Sequence, residues 1–166
     1  MSHMLTDYAS PDTVRALLGI NDLEVDDTQL ALECYNLVVE SGLDSLGLSV
    51  LPLYESVKAV PEVSRTSLQR RYFSSVQLYA ATLVALELVP SLPLAVPRRI
   101  GDEKAVVERV NDPFKSLQQN LAASLSVLGS RIKAALTVLD PNFSSTTTNR
   151  RFASTAALAS DPVTGV

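Results

Sequence analysis

The most regular feature of the chain is an apolar stripe between Asp112 and Leu139. Apolar side chains recur there in steps of three or four residues, the spacing that places them on one face of a helix. Asp112 suits the N-cap, Pro113 suits the first helical position, and Pro141 favours an end just before it. Such a helix is ~40 Å long, so the rest of the chain or a neighbouring subunit must cover its apolar face. The stripe consists of Phe114, Leu117, Leu121, Leu125, Leu128, Ile132, Leu136 and Leu139.

A second long helix is predicted over Ser64–Leu88, with Ser64 as its N-cap. Residues 90–97 contain three prolines and therefore connect the two long helices rather than extend either of them. We expect the two helices to form an antiparallel pair. Gly129 lies inside the C-terminal one, where a close approach of another helix would explain it. The stripe of the second long helix consists of Leu68, Tyr72, Val76, Tyr79, Leu83 and Leu86.

The N-terminal part of the chain predicts two shorter helices. The first covers Thr13–Leu18, with Ser10 as N-cap and Pro11 in the first helical position. The second covers Asp27–Ser41, after an acidic loop, and is expected to end at Gly42. Its single cysteine falls in the apolar stripe and is interpreted as a small core residue rather than a nucleophile. That stripe consists of Leu30, Cys34, and Leu37 or Val38.

Two segments carry weaker patterns. Over residues 43–60 an alternation of apolar residues is interrupted by glycine and proline, which predicts irregular or short extended structure. A turn or two of helix is expected there around Tyr54–Val57. Further on, Arg98–Asp102 predicts a turn or one side of a short ribbon, and Glu103–Val110 predicts a short helix.

Together these elements predict a mainly α fold. It is a small helical bundle with two long antiparallel helices, short extended segments and an extended C-terminal arm. We divide the chain into an N-terminal extension (1–9), a helical bundle domain (10–141) and the arm (142–166). From Ser144 onward there is too little apolar mass for independent folding, so this part is either a disordered tail or an arm that orders on a partner. The contact residues in the second case are Arg150, Arg151, Phe152, Asp161, Pro162 and Val163.

Charge is distributed unevenly along the chain, whose net charge is −4. Residues 1–60 carry ten acids and two bases, whereas residues 61–166 carry eight acids and twelve bases. Either this is an ordinary solvated surface, or the molecule has an acidic and a basic end suited to head-to-tail association. The excess of bases is too small to indicate binding of nucleic acid by affinity. Candidate subunit-interface residues in the basic part are Arg65, Arg70, Arg71, Arg98 and Arg99.

Residue types that support catalysis or metal binding are scarce. His3 is the only histidine and Cys34 the only cysteine, which argues against a histidine-based triad and a structural zinc site. The six glycines form no phosphate-binding loop, and helix capping explains the acidic pair Asp26–Asp27. We therefore expect no enzyme, no catalytic residue, no cofactor and no metal ion. We also expect neither a signal peptide nor a membrane span.

Four stretches of the chain share features with one protein family. Two of them, separated by the acidic loop, are SPDTVRALLGI (Ser10–Ile20) and DDTQLALECYNLVVESG (Asp26–Gly42). The others are RRIGDEKAVVERV (Arg98–Val110), which precedes the C-terminal long helix, and the closing SDPVTGV (Ser160–Val166). They resemble the first two helices, the second half and the terminal arm of head-to-tail adaptors of tailed bacteriophages, also called head–tail connector or head-completion proteins. Residues 43–61 align with no part of this pattern.

The resemblance implies a structural protein of the virion neck that is made in the host cytoplasm. Such adaptors form a ring, usually dodecameric, beneath the capsid portal, and the next tail or head-closure protein binds the opposite end. By resemblance, Ser144–Val166 docks on the portal protein, and the bundle Asp27–Leu139 packs beside its neighbours. DNA passes through the channel of the ring without specific binding.

Two further points stay open at the level of sequence. The acidic N-terminal third would suit the lining of a DNA channel, since like charges repel phosphates. The alternative to an adaptor is a helical-bundle interaction or regulatory module outside viruses, such as a small dimeric bundle. An enzyme would need a pocket with convergent polar groups, and the sequence offers no such set.

Overall fold

The computed structural model describes residues 5–92, 99–102, 105–108 and 113–140, and it is mainly helical. The predicted fold class, a small helical bundle in which two long helices pack together, is confirmed. Two 3-10 turns (Glu62–Ser64 and Val89–Ser91) and an antiparallel pair of strands, β1 (Arg99–Asp102) and β2 (Ala105–Glu108), complete the described elements. The helices are α1 (Leu5–Tyr8), α2 (Pro11–Leu18), α3 (Asp27–Leu30), α4 (Glu33–Leu46), α5 (Val50–Ala59), α6 (Ser67–Leu88) and α7 (Pro113–Leu139).

Helix α6 is the centre of the bundle. It packs against α1, α2, α4, α5 and α7, and its most extensive contact is with α7. The stripe predicted for α7 faces this contact: Ile132 and Leu136 are fully buried, and every other member is buried or partly buried against the core. Since α6 and α7 contain more than half of the described α-helical residues, the two long apolar stripes determine the architecture.

The N-terminus of α6 differs from the predicted one. The predicted cap, Ser64, lies in a 3-10 turn, and the helix begins at Ser67 instead. Thr66 and Gln69 form a capping box, in which each side chain accepts a hydrogen bond from the backbone N–H of the other residue. Two reciprocal bonds satisfy two free N–H groups of the first turn, which favours the later start.

Helix α2 agrees with the predicted helix and begins two residues earlier. The Ser10 hydroxyl accepts a hydrogen bond from Thr13 N at 3.3 Å, and Pro11 is the first helical residue. Gly19 ends the helix in the left-handed region, at a φ of 67°. Val14 and Leu18 are buried on its inner side.

The prediction of one helix over Asp27–Ser41 is wrong in two respects: the helix is not continuous, and a different set of side chains faces the core. The structure has two helices, α3 and α4, joined through Leu32 in an extended conformation. A continuous helix that buried Leu30 would place Val39 and Leu43 on the opposite side. The break changes the helical phase, so that all three of these side chains are buried together.

Cys34 is therefore exposed, and the prediction that it is a core residue is wrong. Leu37 is also turned outward and is 61% exposed. Neither glycine nor proline marks the break at Ala31 and Leu32. It results from tertiary packing, in which Val39 and Leu43 bury more apolar surface than Cys34 and Leu37 would.

Gly42 does not end α4, contrary to the prediction. The helix continues to Leu46, and Gly47 follows it. Gly42 lies in the contact between α4 and α6, because a Cβ atom at this position would overlap Leu83 Cδ1. The missing side chain thus serves close helix packing rather than helix termination.

Gly129 has the corresponding role on α7. A Cβ atom there would lie 3.1 Å from Leu46 Cδ2 and 3.7 Å from Tyr79 Cε2. The predicted close approach at Gly129 is confirmed. The C-terminal end of α4, the middle of α6 and the middle of α7 meet at this point.

Two weaker predictions are corrected. Residues 43–60 are helical except for a turn at residues 47–49 and the end at Val60. The helix expected around Tyr54–Val57 is confirmed, and the irregular or extended structure predicted for the rest of this segment is wrong. The short helix predicted over Glu103–Val110 is wrong, because Ala105–Glu108 is strand β2. The ribbon expected at Arg98–Asp102 is confirmed for its described residues, with Ile100 opposite Val107. β-branched Val106 and Val107 favour the strand over the helix.

Aromatic residues fasten α1 and α5 to α6. The Tyr54 ring stacks on the Phe73 ring with centroids 4.9 Å apart, and it lies 5.5 Å from the Tyr8 ring. The Tyr54 hydroxyl donates a hydrogen bond to the carbonyl oxygen of Asp7 at 2.8 Å. Residues 5–9 of the predicted N-terminal extension are thus held by the bundle, and Tyr8 is buried. Residues 93–97 of the predicted connector and the predicted arm (142–166) lie outside the described residues.

Burial raises the pKa of all five tyrosines. For Tyr54 the pKa rises from 10.0 to about 12, chiefly because its ring is enclosed by the core. The pKa of Tyr72 is also raised by burial, and its hydroxyl donates a hydrogen bond to Val50 O at 2.7 Å. The other three tyrosines with raised pKa are Tyr8, Tyr35 and Tyr79.

We expect Gly129→Ile to lower the free energy of unfolding by about 1–3 kcal/mol, because the new side chain would press on Leu46 and Tyr79. Urea denaturation followed by circular dichroism measures the loss. Ala134→Ile, at an exposed position of the same helix, is the matched control and should change stability little. Adding Leu46→Ala to Gly129→Ile should restore part of the loss, and a purely additive loss would contradict the contact.

We expect the free energy of unfolding to fall as the pH rises from 10 toward 12. The folded chain keeps its phenols protonated, whereas the unfolded chain loses those protons near pH 10. The stabilisation is therefore complete below pH 10 and is lost above it. Phenolate ultraviolet absorbance and helical circular dichroism, recorded in one pH series, should change together. Gradual phenolate formation in a fully helical protein would contradict the burial of these side chains.

Candidate functional site

Most of the predicted site residues lie in parts of the chain that are not described. Arg99 is the first residue of β1. Arg70 and Arg71 are exposed on the first turns of α6, as expected for a solvated or subunit-facing surface. The residues outside the described ranges are Arg98, Arg150, Arg151, Phe152, Asp161, Pro162 and Val163.

The Arg65 side chain makes its contacts within its own chain. Its guanidinium donates hydrogen bonds to three backbone carbonyls at the end of α5, at distances of 2.9 to 3.1 Å, and lies 4.4 Å from the centre of the Phe73 ring. It therefore supplies partners to the free C=O groups that every helix leaves at its C-terminus. The three acceptors are Val57, Lys58 and Val60.

The N-terminal part contains an open, acidic depression around Arg15. The Arg15 side chain is mostly buried and donates to Asp12 Oδ1 at 3.0 Å, pairs with Asp27, and donates from Nε to Val25 O at 2.8 Å. One guanidinium thus joins α2, the acidic loop and α3, a use that suits its fixed fork of donors. The acidic residues that line the depression are Asp12, Asp22, Asp26 and Asp27.

The interpretation of Asp26–Asp27 as capping residues is confirmed for Asp26. Its Oδ1 accepts a hydrogen bond from Gln29 N at 2.7 Å, and the Gln29 side chain accepts one from Asp26 N. Asp27 instead pairs with Arg15. Within the described ranges, no group of three or more histidine, cysteine, aspartate or glutamate residues is arranged to hold a metal ion.

Helix α4 has an outward face that carries only acidic charge. Glu33, Leu37, Glu40 and Asp44 follow one another in steps of four, three and four residues along one flank of the buried side; Glu33, Leu37 and Asp44 are exposed, and Glu40 is half-buried. We call this set the acidic face. No lysine or arginine occurs anywhere in residues 21–46, which carry seven acids. Its one large apolar side chain, Leu37, is mostly in solvent.

Helix α7 has an outward face of small, uncharged residues. They recur in steps of four and three residues on the side opposite the buried stripe, and all are exposed. Val127 is 52% exposed, and Val138, one turn beyond the set, is 69% exposed. Arg131 and Lys133 flank this face on its two sides, and α7 contains no acidic residue. We call the set the small-residue face: Ser116, Asn120, Ala123, Val127, Ser130 and Ala134.

Among the residues that the structure describes, two helices are long and apolar enough to cross a membrane by length and composition alone. They are residues 67–91 and 114–139. In the bundle their apolar sides pack against each other and against the shorter helices. The expectation that the chain has no membrane span therefore stays a prediction.

Sequence patterns predicted the outward face of α7 better than the acidic face of α4. The polar side of α7 follows directly from its stripe. The acidic face of α4 was missed because Leu37 was assigned to the core. The signal that could have revealed it is the second stripe of Val39, Leu43 and Leu46, which requires a helix that runs through Gly42.

Comparison of the chain with protein-family models, with curated proteins and with solved structures found no match. A functional proposal therefore rests on the resemblance in the sequence and on the surface of the bundle.

We expect Arg65→Ala to lower the free energy of unfolding by roughly 1–3 kcal/mol, since three carbonyls lose a charged donor and Phe73 loses its stacked cation. Thermal and urea unfolding measure the change. Arg70→Ala, an exposed arginine one turn into α6, is the matched control and should shift stability by less than about 0.5 kcal/mol. Equal effects of the two substitutions would show that Arg65 does not stabilise the end of α5.

Proposed function

We propose that this chain is an adaptor of the virion neck in a tailed bacteriophage. Copies of it form a ring, dodecameric by resemblance, that joins the capsid portal to the tail or to a head-closure protein. DNA passes through the channel of the ring without specific binding. The protein is made in the host cytoplasm and becomes part of the virion at the capsid vertex.

The observation that carries the proposal is the incomplete cover of α7. This helix buries one face against α6 and leaves a second, continuous face of small residues in solvent, with Val127 and Val138 exposed. Single exposed apolar residues are normal on protein surfaces. In this proposal the uncharged face of α7 is where a neighbouring copy packs, because its short side chains allow a second helix to approach closely.

The four stretches that resemble head-to-tail adaptors support the same proposal. Ser10–Ile20 contains the capped helix α2, and Asp26–Gly42 contains α3 and most of α4. The described part of Arg98–Val110 is a β-ribbon that precedes the long helix α7. The portal-binding role of the arm, and of its six contact residues, stays a prediction from the resemblance.

A non-viral interaction or regulatory module is the alternative, and the exposed faces of α4 and α7 are compatible with it. The two functions differ in their partner and in their stoichiometry. An adaptor binds portal protein and surrounds an axis in many copies, whereas a regulatory bundle forms a closed dimer or binds a single partner.

We expect the full chain to bind the portal protein encoded in the same genome, and a chain ending at Asp140 to bind it at least about tenfold more weakly. Sedimentation with purified portal measures binding, and circular dichroism checks that the truncated chain retains its helices. As a control, residues 144–149 are replaced by a Gly-Ser linker of equal length. Binding should persist, because the predicted contact residues begin at Arg150.

Three results would contradict parts of this proposal. Docking of the truncated chain on the portal would remove the role of the arm. A stable dimer, both alone and with portal, would favour the regulatory module. Flotation of the purified chain with lipid vesicles, without binding to portal, would point to a membrane function.

A further inference from the structure

The β-ribbon formed by β1 (Arg99–Asp102) and β2 (Ala105–Glu108) is too small to be stable by itself. Each strand has four residues, and the sheet has two strands. A ribbon of two strands is only marginally stable in water, and it needs a third strand or a packed apolar face to hold it. No described helix makes an extensive contact with the ribbon. Within the described ranges, the ribbon therefore lacks the support that its size requires.

Both outer edges of the ribbon are open in the part of the chain that the structure describes, where β1 and β2 pair only with each other. An open edge is a template for pairing with another strand, and proteins that avoid such pairing use proline, lysine or a bulge. The two strands contain neither proline nor lysine, and their register continues without a bulge from Arg99–Glu108 to Asp102–Ala105. Their charged residues occupy only strand ends. Both edges are therefore suited to accept a further strand.

The order of charges along the strands indicates which edges fit each other. Arg99 begins β1 and Glu108 ends β2, and the two residues stand opposite each other in the ribbon. If β2 of one copy pairs with β1 of the next copy in the same antiparallel register, Glu108 again stands opposite Arg99. Opposite charges at facing positions stabilise a strand pair, whereas like charges destabilise it. The inner positions Ile100, Val106 and Val107 are β-branched, which also favours a sheet.

Pairing of identical edges is less complete. An antiparallel pair of two β1 strands would set Arg99 opposite Asp102, but it would leave both β2 edges open. An antiparallel pair of two β2 strands would set Glu108 opposite Ala105, without a pair of opposite charges. Only the pairing of β2 with β1 uses both edges of every copy and repeats the register that the ribbon already has.

Short connections hold the ribbon near the two long helices. Residues 93–98 join Leu92 to β1, and residues 109–112 join β2 to Pro113, the first residue of α7. Since one residue spans at most ~3.6 Å, the end of β2 lies within roughly 20 Å of the start of α7. Copies that stand side by side in a ring therefore carry their ribbons at the same level, where the edges of neighbours can meet.

We propose that the open edge of β2 in one copy pairs with the open edge of β1 in the next copy of this chain, in the antiparallel register that sets Glu108 opposite Arg99. Each copy then adds two strands to a sheet that is shared between subunits. Such a contact is heterologous, because it joins two different edges, and a closed ring leaves no edge unpaired. The inference rests on the proposed function, whose ring closes the sheet, and it deepens that function by assigning a contact between subunits.

Two single-cysteine variants of the full chain test this pairing and exclude links within one molecule. Both carry Cys34→Ser, which removes the exposed natural thiol, and one also carries Arg99→Cys whereas the other carries Glu108→Cys. The two variants are mixed and treated with a short thiol-to-thiol cross-linker, alone at high protein concentration and on purified portal. We expect dimers that contain one copy of each variant, in which mass spectrometry identifies links between positions 99 and 108. These mixed dimers should exceed dimers of either variant with itself by at least about tenfold.

A matched control defines the specificity of these links. Val63→Cys, in the same Cys34→Ser background, places the thiol at a position that is 87% exposed and lies outside the ribbon. Mixed with the Arg99→Cys variant, it should give a yield of dimers at least about tenfold lower.

Two charge variants without new cysteines test the register independently. Arg99→Glu alone sets two acids opposite each other between copies, and Glu108→Arg alone sets two bases opposite each other. Each variant by itself should therefore assemble on the portal at least about tenfold more weakly than the unchanged chain. A mixture of the two should recover assembly, because each contact between unlike copies again joins an acid to a base. Both variants carry like charges within their own ribbon, so damage to the ribbon alone would not be repaired by mixing.

The outcomes separate this inference from the proposed function. Links only between two copies of position 99, or two copies of position 108, indicate pairing of identical edges and overturn the inference. Equal yields with Val63→Cys, or no recovery when the charge variants are mixed, overturn it as well. A ring on the portal without links between positions 99 and 108 overturns the inference alone. Mixed links in a chain that does not bind portal support the contact and contradict the adaptor function.

The C-terminal arm is the other source of a third strand, and a further variant distinguishes it. Phe152→Cys, again with Cys34→Ser, is mixed with the Arg99→Cys or the Glu108→Cys variant and cross-linked in the same way. We expect a yield as low as that of Val63→Cys. Links from position 152 to position 99 or 108 that replace the links between 99 and 108 would show that the arm completes the ribbon, and would overturn the inference.

Discussion

The structure depends on the close packing of α4 and α7 around α6, and two glycines make that packing possible. Gly42 lets α4 lie directly against Leu83 of α6, and Gly129 lets α7 accept Leu46 and Tyr79. Each glycine weakens its own helix by about 1 kcal/mol relative to alanine. The close contact that results buries Val39, Leu43, Ile132 and Leu136 completely, and this burial outweighs the local cost.

The two long helices could be predicted from the sequence because their stripes are long and regular. The caps Ser10 and Asp26 were also predictable, since each is a short polar side chain directly before a helix. The break between α3 and α4 was not predictable from local sequence, because Ala31 and Leu32 are ordinary helix formers. It appears only when Leu30 and Val39 have to be buried on the same side.

The surface shows the same division between local and tertiary causes. The exposure of Arg70 and Arg71 agrees with their position on the polar side of α6, whereas the inward role of Arg65 depends on where α5 happens to end. Charge imbalance between the two parts of the chain was visible in the sequence. The structure adds that three of the N-terminal acids lie along one helix, with an exposed leucine between them.

The placement of the tyrosines has a spectroscopic consequence. The chain has no tryptophan, and its five tyrosines lie in α1, α4, α5 and α6, with Tyr79 of α6 placed against α7 at Gly129. Intrinsic emission therefore reports mainly on the N-terminal part, whereas far-ultraviolet ellipticity also senses the 27 residues of α7. If the two signals separate along a denaturation curve, α7 has detached before the rest of the bundle melts.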